Sequence, residues 1–121
     1  MTLADNPIYD RSCNFSKRVV RVARNIRQDA VTRPMVSQLI KAATSIGANV
    51  SEATYGASRK DFINKITVAL KEGRETAYWL DILGASGYIA EGEVASLMGE
   101  ITVINKILSA IRQNAANKAA T

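Results

Sequence analysis

The sequence predicts an all-α protein, an antiparallel up-down-up-down bundle of four helices. Three observations predict it. Apolar residues recur at the helical period of about 3.6 residues in four successive segments. β-branched clusters such as Ile101 to Ile104 fall within that spacing, not in strand-like alternation. The breaks between segments are short, about four to seven residues, which makes successive helices antiparallel neighbours. At 121 residues the chain is expected to form one domain over 1–121, long enough to bury a core without metals or disulfides.

Residues 1 to about 9 contain Pro7 and no periodicity, which predicts a loose arm. Helix 1 is expected from Asp10 or Ser12, either of which caps exposed amides, with an apolar line of Phe15, Val19, Val22, Ala23, Ile26 and Ala30. Thr32-Arg33-Pro34 ends it and opens helix 2, since proline suits the first turn of a helix and not its interior. Helix 2 then runs to about Thr54 on the stripe Val36, Leu39, Ala43, Ile46, Val50 and Ala53, with Gly47 permitting close approach of a neighbouring backbone. Gly56 stops it, and Ser58-Arg59-Lys60-Asp61 reads as an N-cap with an acid three residues on. Helix 3 buries Phe62, Ile66, Ala69, Gly73, Ala77, Leu80 and Gly84 and runs to about Ala85. Helix 4 starts around Glu91 to Glu93, acids at the positive end of its dipole, and carries Val94, Leu97, Met98, Ile101, Ile104, Leu108 and Ile111 on one stripe. From Asn114 the Ala/Asn-rich tail is expected to fray over 114–121.

Composition excludes several classes of function. No apolar run approaches the roughly 20 residues of a membrane span, and Met1 to Ser12 lacks a signal-peptide core. The expectation is a cytoplasmic protein with no membrane partner. Cys13 is the single cysteine, so no internal disulfide forms, and there is no histidine. That absence removes histidine-dependent triads and the Glu-x-x-His pairs of di-metal bundles. Glu72 and Glu75 stand beside Lys71 and Arg74 and read as structural carboxylates, not as an acid/base pair or a metal site. No catalytic residue, metal or cofactor is expected.

The net charge of +5 is unevenly spread: residues 1–60 hold 10 Lys/Arg against 4 Asp/Glu, and residues 61–121 hold 6 against 7. On helix 1, Lys17, Arg18, Arg21, Arg24 and Arg27 follow one another with no acid between them, and such a run repels itself in the free protein. A charge run is by default a solvated face. Repeated around an oligomer it becomes a dense positive surface whose affinity for phosphates grows with the counterions it releases. These five residues are therefore the nucleic-acid-binding candidates, with Lys41, Arg59 and Lys60 as additions. Packing explains Tyr55, Tyr78, Trp79 and Tyr88 more simply than base stacking does.

Helices 2 and 3 each carry a second line beside the core stripe: Gln38, Ser45, Asn49 and Glu52 on one, Val68, Glu72, Glu75 and Trp79 on the other. A solvated flank has no need of a tryptophan in line with carboxylates. Ser45, Asn49, Glu52, Glu72, Glu75 and Trp79 are the expected subunit interface, with the carboxylates accepting hydrogen bonds from Asn49, Ser45, Arg or backbone groups across a helix contact.

These segments resemble a known family, the four-helix bundle proteins related to those encoded in intervening sequences of bacterial 23S rRNA genes. Gln38-Leu39-Ile40, Thr44 to Val50 and Glu52-Ala53 are similar to its helix 2 signature. Asp61-Phe62-Ile63, Ala69 to Glu72, Glu75-Thr76 and Tyr78-Trp79-Leu80 are similar to its helix 3 signature. Arg11-Ser12, Phe15 and Arg18 to Arg21 match more faintly, and Gly73 stands where a larger small residue such as Ala is expected. The resemblance implies a ring-shaped homopentamer without established enzymatic activity. It also brings in a relative, the accessory variability determinant protein of diversity-generating retroelements, a basic pentamer that works with a reverse transcriptase and its RNA. The expected function is a non-catalytic homo-oligomer that binds RNA through helix 1. The alternative is an accessory subunit whose main partner is a protein such as a reverse transcriptase.

Overall fold

A computed structural model describes residues 7–120. They form four helices, α1 (Pro7–Arg24), α2 (Thr32–Thr54), α3 (Arg59–Ala85) and α4 (Glu91–Ala120), and no strand forms among the described residues. Each helix packs against the next in the chain, and α1 closes the set against α4. One core cluster draws on all four helices, with Phe15, Leu39, Ile66 and Ile104 essentially sealed from solvent.

Two predicted boundaries hold to the residue. The Ser58 hydroxyl accepts the Asp61 amide at 3.1 Å and caps α3. At the other end, Gly87 adopts φ +81°, a left-handed conformation that glycine takes without cost, and Tyr88 N–H reaches back to Leu83 O at 3.0 Å. Three other expectations are corrected. Residues 7–9, assigned to a loose arm, are helical, and Pro7 is the first described helical residue, where a missing amide proton costs nothing; residues 1–6 lie outside the described residues. The fraying expected from Asn114 does not occur up to Ala120, because Ala is the strongest helix former and Ala115 is buried; Thr121 lies outside the described residues.

The third correction concerns the end of α1, which stops at Arg24 and not near Thr32. Residues 27–32 fold into a local network instead. The Asp29 carboxylate accepts the amides of Val31 and Thr32 at 2.8 and 2.9 Å, and the Thr32 hydroxyl donates to Arg27 O at 2.6 Å. Those amide hydrogen bonds, Thr32 first, hold the Asp29 carboxyl below its ordinary range. Ile26 keeps the apolar period and is buried, but from the turn, whereas Ala30 is exposed.

Helices α3 and α4 approach closely where α3 lacks side chains. A Cβ at Gly73 would overlap Asn105 Oδ1, and one at Gly84 would lie 2.8 Å from Val94 Cγ2. The smallest residue at position 73 is therefore what lets Asn105 lie on the α3 backbone. Gly47 has a milder role, facing Ser12 and Cys13 across α1 at 3.7 Å. By length and composition alone the α4 stretch Glu91–Lys118 could cross a membrane, which a search for an unbroken apolar run does not register. In the bundle its Leu97, Ile101, Ile104 and Leu108 are core residues, and its Glu100 is paired with Arg11.

Candidate nucleic-acid interface

The cations of α1 separate into two groups according to what lies across from them. One turn of helix is about 3.6 residues, so Arg11 and Arg18 share the flank that faces α4. Arg11 is neutralised there: its guanidinium forks onto the Glu100 carboxylate at 2.7 and 3.0 Å. Arg18 donates to the Ser96 hydroxyl, which fixes its position without cancelling its charge.

Lys17, Arg21 and Arg24 occupy the exposed ridge of α1, and none makes an ion pair among the described residues. Asn14 is exposed with them, and no carboxylate is within pairing distance. Arg27, expected on the same stripe, has left the helix for the turn, where it stands 3.6 Å from Asp29. The structure thus keeps three of the five predicted cations on one exposed ridge, sets Arg18 on its α4-side flank beside Arg21, and moves Arg27 to the turn. The addition that spacing does not single out is Arg33, exposed on the first turn of α2 and lining one groove with Arg24. Only the tertiary fold sets it there, since Arg33 belongs to a different helix.

Clefts flank the ridge on both sides. Toward α4 lies one of about 400 Å³, lined by Arg18, Arg21, Val22 and Leu97 and by the carboxylate of Glu93. Toward α2 lies another of about 470 Å³, lined by Arg24 and Arg33 together with Val20, Val36 and Ile40. Val20 is 37% exposed, one of the few large apolar side chains of the described residues that is.

The second predicted line, on α2 and α3, assembles differently from expectation. Ser45 and Asn49 do not reach the carboxylates of α3. They give their hydrogens to α2 itself, Ser45 to Lys41 O at 2.6 Å and Asn49 to Ser45 O at 2.8 Å, because the carbonyl one turn back is always within reach. Glu52 pairs with Lys65 at 2.7 Å across the two helices. The Glu72 carboxyl is held above its ordinary range by partial burial and then by the charge of Glu75, with Lys71 and Lys41 pulling the other way. Trp79 is half-buried and meets Tyr78 edge-on at 5.0 Å, while Tyr78 is 57% and Val68 39% exposed. No group of three or more Cys, Asp or Glu able to hold a metal forms among the described residues.

Comparison with known proteins bears on this arrangement. The sequence model of the 23S rRNA-intervening sequence protein matches residues 4–110. A solved structure from Bacteroides thetaiotaomicron, described as a protein of unknown function from the S23 ribosomal protein family, superposes with a TM-score of 0.84 at 39% identity, covering 90% of this chain and 97% of its own. No curated protein matches the chain.

Proposed function

The chain belongs to the 23S rRNA-intervening sequence protein family, and on that premise we propose that it is a non-catalytic, homo-oligomeric RNA-binding bundle. The observation that carries this reading is the pairing pattern of the arginines. Arg11 and Arg27 are paired with carboxylates, whereas Lys17, Arg21 and Arg24 project from one ridge without an ion pair among the described residues. Unpaired cations on one face repel one another, and a polyphosphate partner relieves that repulsion while releasing its own counterions.

The bundle is up-down-up-down in this reading. The supporting contacts run in opposite senses along neighbouring helices: Ser12 and Ser16 meet Gly47 and Ala43, Arg11 and Arg18 meet Glu100 and Ser96, and Gly73 and Gly84 meet Asn105 and Val94. Assembly into a ring, pentameric as the family resemblance implies, uses the α2/α3 face. Support comes from the exposure of Tyr78 and Val68 beside the half-buried Trp79 and the Glu72 carboxyl. Each added subunit then repeats the α1 ridge.

The test is titration of labelled RNA at several salt concentrations with wild type and with Arg21→Glu/Arg24→Glu. Wild type should bind with a steep salt response. The double variant should bind weakly, with a log–log salt slope shallower by about one for each phosphate it no longer neutralises. Equal binding by both proteins, or a flat salt response, would remove the reading.

A further inference from the structure

A surface that only met phosphates would need its ridge and nothing else. Phosphate oxygens accept hydrogen bonds and attract charge, and an apolar floor offers them neither. Yet the ridge of α1 is bordered on both sides by clefts whose linings join arginines to aliphatic side chains: Arg18 and Arg21 with Val22 and Leu97 toward α4, where the Glu93 carboxylate is also in the lining, and Arg24 and Arg33 with Val20 toward α2. Guanidinium planes and apolar surface together suit the flat faces of nucleobases, which stack on arginine as they do on aromatic rings. Volumes of about 400 and 470 Å³ are in the range of small-molecule sites. Asn25 lines the α4-side cleft with its amide nitrogen turned to Arg21 O at 3.3 Å, which leaves its amide oxygen to accept from a base edge.

A base can enter such a cleft only if it is not paired and stacked in a helix. A continuous duplex presents its phosphates to the ridge and keeps its bases inside. From Lys17 to Arg24 the ridge rises about 10 Å, a span that engages a few consecutive phosphates of one strand.

We propose that α1 is the spine of a single-strand site: Lys17, Arg21 and Arg24 hold the backbone, and unpaired bases enter the clefts on either side. The ligand class is thus unpaired RNA, a loop or a single strand, and not a continuous duplex. This rests on the RNA-binding reading above and narrows it.

The test separates the two. Fluorescence anisotropy is measured with a labelled oligouridine of about 15 nucleotides and a labelled RNA duplex of about 15 base pairs. The proteins are wild type, Gly92→Leu/Ser37→Phe and Arg21→Gln/Arg24→Gln. Gly92 lines the α4-side cleft, and a Cβ there meets nothing within 4 Å; Ser37 is exposed and lines the other. The first double variant therefore fills both clefts, keeps every cation and leaves the core intact. Wild type should bind oligouridine at least about tenfold more tightly than duplex, and the cleft-filling variant should lose about tenfold on oligouridine with its salt slope and duplex binding unchanged. The arginine variant should weaken on both RNAs. If the cleft-filling variant binds oligouridine like wild type, or wild type prefers duplex, the single-strand site is overturned while the basic ridge stands. If wild type binds neither RNA, both inferences fall.

Discussion

Asn105 is a polar side chain lodged where α3 and α4 come closest, and its Oδ1 is buried without a hydrogen-bond partner. Across from it is Gly73, where a Cβ would overlap that oxygen. Gly73→Ala should therefore destabilise the protein by about 1–3 kcal/mol through overpacking. The same substitution in an Asn105→Ala background should cost much less, since the colliding atom is gone. Urea denaturation of the two single variants and the double variant checks this, and additive losses would contradict it. The expectation of Ala at this position comes from the family resemblance of the α3 segment. The residue that requires glycine belongs to another helix, and no periodicity reports that. The same reason hides the partners of Arg11 and Arg18, although the presence of these arginines on α1 is plain from spacing.

At the level of elements, legibility follows local chemistry. Ser58, Gly56 and Gly87 each act on amides and carbonyls a few residues away, so the start of α3, the end of α2 and the end of α3 are written in neighbouring residues. Ser58→Ala should cost about 0.5–2 kcal/mol, read as a lower denaturation midpoint, while Ser58→Gly costs only a few tenths. The end of α1 is not written that way, because Ile26 and Ala30 continue the helical period through a turn set by Asp29 and Thr32. The Ala/Asn-rich tail carries no large apolar stripe and so reads as a loose end, although Ala115 completes the core. Periodicity records which residues are apolar, and it does not record whether the backbone between them stays helical.

For the whole molecule, the α2/α3 face, the proposed subunit contact, is where protonation acts. The Glu72 carboxyl is raised above its ordinary range, chiefly by burial and then by Glu75. Its protonated form therefore contributes stability that is complete below the ordinary carboxylate range and is lost as pH rises through the raised value. Glu72→Gln keeps the shape without the charge. It should be more stable than wild type at neutral pH, with the gap closing on acidification, in thermal denaturation at both. If subunits cover this face, burial deepens, and sedimentation should show wild-type association tightening in mild acid while the Gln variant stays level. Identical neutral-pH behaviour of the two proteins would count against both statements.

Trp79 sits half-buried on that face, and it is the only indole in the chain. Its emission is consequently a single-site spectrum, uncontaminated by any second tryptophan, with the Tyr78 ring 5.0 Å away as an energy donor. If subunits meet on this face as proposed, dilution of unlabelled protein in a fluorimeter follows their parting as a red shift, and the association constant is read from the native polypeptide without attaching a dye.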